Sequence, residues 1–210
     1  MQRPLKLIIF AGIALVLFYF LKDTIFNDDN YIKPLLQERE NKELSFRSRE
    51  NSPFTEEGRL AFKKLNYYEP KLDYRIRAEV KELPQQDTVQ MKMNNGTAES
   101  YLRYAEATFE LEGQPQRLIL FKRLSGEKQD ELFVPFTDKT NGFETYGGGR
   151  YMDVPYEEGD ETVMLDFNRA YSPYCNYNPD YVCPVPPPDN RLTVAVPAGE
   201  KTYEEAQKAG

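Results

Sequence analysis

The side chains able to carry chemistry are an arginine set among glycines, scattered carboxylates, many tyrosines and two thiols, because the 210 residues contain no histidine. That absence removes Ser-His-Asp and Cys-His catalytic sets and every imidazole metal site, and two cysteines are too few for a four-thiolate zinc site. We therefore expect no metal and no cofactor. The most unusual segment is TYGGGRY, Thr145 to Tyr151. Its glycines, Gly147, Gly148 and Gly149, admit backbone conformations closed to other residues and can turn consecutive N–H groups toward an anion beside the Arg150 guanidinium. The competing reading is structural: the glycines let the chain pass close under Tyr146 and Tyr151 while Arg150 pairs internally with Asp138, Asp153 or Asp166. Familiar phosphate loops are missing. No Lys-Ser/Thr completes a P-loop, and Met152 occupies the third glycine position of GxGxxG.

Asp166 and Asn168 close an apolar run (Val163, Met164, Leu165) and in a strand would share a face opposite Phe167. Such a pair either lines the mouth of a pocket or caps the following turn. Asp138, Glu144 and Asp166 are the carboxylates a histidine-independent hydrolase would use, with Tyr146 or Tyr171 in place of histidine; that chemistry needs one raised and one ordinary carboxylate pKa. Cys175 and Cys183 enclose turn residues around Pro179, and in an exported protein the first expectation is a disulfide. Around them stand Tyr171, Tyr174, Tyr177 and Tyr181, followed by Pro184 and Pro186 to Pro188. A proline-stiffened aromatic loop of this kind can stack a sugar or clasp a peptide, or it can wrap the sheet as a plug with its tyrosines packed inward.

FTDKTNG, TYGGGRY, DFNRAYSP, CPVPP and the final AGE together resemble the bacterial domain-of-unknown-function family 1684. The likeness is specific across residues 133 to 200 and weaker over 53 to 132. Ser172 and Asn176 depart from the family pattern, which has Asn and Ala there. The resemblance implies the family's fold and transfers no activity.

These residues need elements to position them. DYRIRAEV alternates Tyr74, Ile76, Ala78 and Val80 against charged neighbours, the period of a strand with one buried face. TVQMKM, the run Ala98 to Glu112, RLILFKRL, LFVPF, TVMLDFN and RLTVAVP are further strands, punctuated by turns at Asn94-Asn95-Gly96, Ser125-Gly126, Lys139 to Gly142 and Glu158-Gly159-Asp160. Before them, Thr55 caps a short helix with Glu56 and Glu57 in its first turn. The pattern predicts a mainly β domain over residues 53–210, an antiparallel sandwich or barrel with short N-terminal helices, reached through a helical or extended spacer at residues 23–52.

Residues 7–21, LIIFAGIALVLFYFL, carry no charge and are bracketed by Lys6 and Lys22. Fifteen apolar residues reach about 22 Å, and snorkelling lysines with local thinning make up the span. No small-x-small cleavage site follows, so residues 1–22 read as an uncleaved signal anchor, one transmembrane helix, ahead of a cleaved signal or a buried helix. Arg3 and Lys6 precede the span while Asp23, Asp28 and Asp29 follow it, which predicts a single-pass protein of the inner (cytoplasmic) membrane with its C-terminal domain periplasmic or extracellular. A net charge of −7 argues against nucleic acid as a partner. The remaining partners are the membrane, through residues 1–22, and a small anionic ligand or a glycan. A membrane-anchored envelope domain that binds a small ligand or serves a structural role is the first functional expectation; the hydrolase is the alternative.

Overall fold

The computed structural model describes residues 28–124 and 130–203, with two isolated positions, 12 and 16. The expected membrane span and the Ser125-Gly126 turn lie outside these residues. Among the described residues no helix is long and apolar enough to cross a membrane. The chain divides into a unit of residues 1–42 and a unit of residues 43–210. Helix α1 (Asp28–Arg47) occupies the expected spacer, and α2 (Glu56–Ala61) starts where Thr55 Oγ1 accepts the Gly58 N–H at 3.2 Å.

The second unit is a seven-stranded antiparallel sheet of β1 (Arg75–Glu82), β2 (Thr88–Lys92), β3 (Ala98–Leu111), β4 (Gln114–Arg123), β5 (Glu131–Phe136), β6 (Arg150–Pro155) and β7 (Thr162–Asp166). The order runs β6-β5-β4-β3-β1-β7, with β2 following β1 along the same side of β3. The β3–β4 pairing shifts register between Arg103 and Ala105. The end strands β6 and β7 approach each other, and the sheet nearly closes into a barrel. Alternation decides the interior: Ala78 and Val80 of β1, Leu118 and Leu120 of β4, Leu132, Val134 and Phe136 of β5, and Val163 and Leu165 of β7 share one core. Tyrosines close its ends. Tyr74 donates to Glu112 at 2.8 Å at one end, and Tyr104 and Tyr156 donate to Glu82 Oε1 at 2.7 and 2.6 Å at the other. The two phenols, Tyr156 ahead of Tyr104, hold the Glu82 carboxyl below its usual range.

RLTVAVP departs from expectation. Leu192, Val194 and Val196 are buried as a strand pattern requires, yet the segment joins no named strand. Its backbone is held instead by Thr137, Lys139 and two buried side chains, Asp138 and Arg150. Asn190 supplies another substitute. Its side chain accepts from Ile119 N at 2.7 Å and donates to Ile119 O and Pro135 O at 2.8 Å each, joining β4 and β5 where their ladder has one registered pair.

A second apolar cluster, with Met91, Tyr101, Phe121, Phe133 and Tyr151, lies on the opposite face of the sheet. The segment 171–188 covers it. Cys183 and Asn94 exchange two bonds of 3.0 Å, Val185 N reaches Lys92 O at 2.7 Å, and the Tyr151 hydroxyl donates to Pro184 O. Further along, Phe46, Phe54, Phe62, Tyr177 and Tyr203 form an aromatic cluster with ring centroids 5.1 to 6.1 Å apart.

Candidate functional site

Arg150 opens β6 and has no exposed side-chain surface. Nη2 lies 2.8 Å from Asp138 Oδ2 and donates to Val196 O at 2.9 Å; Nη1 donates to Ala198 O and, at 3.4 Å, to Glu200 O. The other Asp138 oxygen accepts from Thr140 N at 2.8 Å, Thr140 Oγ1 at 2.6 Å and Val196 N at 3.1 Å. Both charges are thus out of water, paired, and bonded further to backbone, as burial demands. The glycines serve close approach. Gly149 has φ +93°, and a Cβ there would stand 2.6 Å from Pro186 Cγ and 2.8 Å from Phe136 O. One on Gly148 would stand 2.4 Å from the Tyr146 ring. The arginine of the candidate anion nest therefore lies inside the protein with protein partners on both guanidinium Nη atoms, while the glycines admit Pro186 and the Tyr146 ring.

Asp166 is the last residue of β7, and Asn168 does not continue it. A 3-10 turn, Phe167–Arg169, follows, capped by Asp166 Oδ1 accepting the Asn168 N–H at 3.2 Å. Asp166 Oδ2 also receives Arg169 at 2.9 Å. Asn168 is buried and clasps the Lys71 backbone, accepting its N–H at 3.0 Å and donating to its O at 2.8 Å. The two side chains do lie together, Asn168 Nδ2 donating to Asp166 Oδ1 at 3.3 Å, but in a 3-10 turn that Asp166 caps, the second of the two readings, rather than on a strand face at a pocket mouth. These bonds are separate from the Arg150 set. Glu144 stands apart again, with its side chain 54% exposed and Lys201 at 3.7 Å.

The four tyrosines of the loop divide. Tyr171 pairs by backbone with Tyr151 and donates to Asp153 Oδ2 at 2.9 Å, beside an Arg123–Asp153 ion pair of 2.7 Å. Tyr177 is buried in the aromatic cluster. Tyr174 and Tyr181 face outward, 46% and 36% exposed, with ring centroids 5.2 Å apart in an edge-to-face pair. Exposed Val182 and Val185 lie in the same segment.

Cys175 and Cys183, expected as a disulfide, stand as free thiols. Cys183 Sγ accepts the Cys175 backbone N–H at 3.3 Å, with the Cys175 thiol as a further neighbouring donor. Those donors, the thiol first, bring Cys183 down to about 7 against the opposing effect of burial, and the same contact drives Cys175 up. Tyr146 Oη lies 3.7 Å from Cys175 Sγ, and burial followed by that thiol pushes its phenol up to about 12. Among the described residues no three Cys, Asp or Glu side chains are grouped to hold a metal.

The sequence reading missed Asn190, the Glu82 tyrosines and the Arg123–Asp153 pair. Only the tyrosine count hinted at the second of these. The family model for proteins of unknown function (DUF1684) matches residues 60–201. The solution NMR structure of the uncharacterised protein from gene locus rrnAC0354 of Haloarcula marismortui is 36% identical, with a TM-score of 0.66, over 84% of this chain and 96% of that one. No curated protein matches. The chain belongs to the DUF1684 family.

Proposed function

We propose that this chain is a membrane-tethered binding module of the cell envelope, which presents Tyr174 and Tyr181 to a glycan. One observation carries the reading: those two rings remain outward, edge to face and 5.2 Å apart, on a loop whose neighbouring tyrosines are anchored inward. Aromatic faces pack on the apolar faces of sugar rings, and exposed aromatic surface of this kind marks interaction sites. The tether rests on the apolar run 7–21 and its charge asymmetry. The hydrolase alternative would have to use Asp138 or Asp166, both already bonded within the fold, or the exposed Glu144.

The test is a glycan library screened against the full chain in detergent micelles, with Tyr174→Ala and Tyr181→Ala alongside. Binding that both variants abolish supports the reading. Binding that survives both overturns the site, and turnover of a bound glycan favours the hydrolase. Protease added to spheroplasts should digest the domain; protection while an outward control is cut overturns the topology.

A further inference from the structure

We propose that Cys175 and Cys183 are a peroxide-oxidisable dithiol, in which Cys183 attacks the oxidant and Cys175 resolves the product to a disulfide. The geometry comes first. Asn94 fixes Cys183 through two bonds of 3.0 Å, and the 3-10 turn Tyr174–Asn176 fixes Cys175, so the two residues are held together with the Cys175 backbone N–H 3.3 Å from Cys183 Sγ. The two sulfurs differ in their surroundings: Cys183 Sγ receives the Cys175 backbone N–H at 3.3 Å, while Cys175 Sγ has the Tyr146 hydroxyl farther off at 3.7 Å. Negative charge therefore collects on Cys183, which the lowering of its pKa to about 7 supports. Exposure selects the oxidant. Cys183 is only 7% exposed, which suits a molecule the size of water, such as hydrogen peroxide, and disfavours a bulky disulfide.

The chemistry balances. The Cys183 thiolate attacks one peroxide oxygen, the O–O bond breaks, and Cys183 becomes a sulfenic acid as hydroxide leaves. The Cys175 sulfur then attacks the Cys183 sulfur as its own proton departs; the S–O bond breaks and water leaves, so two thiols are oxidised as one peroxide is reduced. Tyr146, whose hydroxyl lies 3.7 Å from Cys175 Sγ, can donate to that sulfur as its proton leaves. The bond closes the segment 175–183, which carries Tyr181 and directly follows Tyr174, but the chemistry does not depend on the glycan reading.

The experiment treats reduced full-length protein in detergent micelles with hydrogen peroxide, denatures timed samples in dimedone so that any sulfenic acid is trapped whatever its burial, and maps the peptides by mass spectrometry. Wild type should yield a Cys175–Cys183 disulfide reversible by dithiothreitol. Cys175→Ser should accumulate the dimedone adduct at Cys183 at least about tenfold faster than Cys183→Ser accumulates it at Cys175. Equal rates, or faster labelling at Cys175, overturn the assignment of roles. Unreacted thiols or sulfinic acid without disulfide in wild type overturn the proposal, and this arm stands even where a variant fails to fold.

Discussion

The Asp138–Arg150 hub and the loop 171–188 are the two most distinctive regions of the sequence, and they use their polar groups in opposite ways. In the hub every charged group turns inward: the guanidinium binds one carboxylate and the carbonyls of Val196, Ala198 and Glu200. A segment with strand-like alternation, 191–197, is held by the backbones of Thr137 and Lys139 together with the Asp138 and Arg150 side chains, rather than by a full strand ladder. In the loop, anchored residues alternate with exposed ones, so that Tyr171 and Tyr177 fix the path while Tyr174 and Tyr181 are left outside. The difference separates two meanings of an unusual motif. Residues that must satisfy one another in a dry interior serve the fold, and those that the fold positions without enclosing are the ones left open to a partner.

The comparison breaks most visibly at the hub. Arg150→Ala leaves Asp138 buried without its counter-charge, and urea unfolding should register a loss of about 3 to 5 kcal/mol that neither phosphate nor a carboxylic acid restores. Gly149→Ala comes next. A positive φ and the approach of Pro186 and Phe136 O should cost about 1 to 3 kcal/mol in the same assay. Tyr181→Ala, on the exposed side of the loop, should change stability by about 1 kcal/mol or less while removing ligand binding. A loss as large as that of Arg150→Ala would make the loop a plug rather than a recognition surface.

High pH sharpens the same contrast without mutation. Burial and then a carboxylate push Tyr74 up to about 12 (Glu112) and Tyr68 up to about 12 (Glu144), and burial does the same for Tyr101. The unfolded chain releases these protons near pH 10. Between about pH 10 and 12 the native state therefore binds more protons than the unfolded one, so the stability contributed by these groups is complete below pH 10 and falls as pH rises toward 12. Tyrosinate absorbance followed with circular dichroism should show the exposed phenols titrating first and the inward ones together with unfolding. Simultaneous titration of all the tyrosines in a still-folded protein would contradict the burial assigned to them.

Much of the sheet was legible in local pattern. The alternation of β1 put Ala78 and Val80 inside, and Thr55 capped the helix expected of it. What escaped was decided by partners far along the chain. TYGGGRY contains the start of β6, yet Arg150 enters the core only because Asp138 and the carbonyls of 196–200 await it. The alternation of 191–197 marked burial correctly and strand pairing wrongly, since period alone does not tell whether a ladder or side chains satisfy the backbone. Asp166 and Asn168 are the neighbours their spacing suggested, but a 3-10 turn brings them together where a continued strand was expected. In the loop, sequence offered both packed and exposed tyrosines as alternatives, and the molecule uses each.

Hydrogen exchange of arginine side-chain protons, observed by 15N NMR with and without phosphate, tests the central claim directly because it perturbs nothing. The Arg150 guanidinium protons should exchange at least about a hundredfold more slowly than those of exposed Arg77, as expected of groups that open only with the core, and phosphate should leave their shifts unchanged. Exchange as fast as that of Arg77, or a saturable shift on adding phosphate, would return Arg150 to solvent and to the anion site.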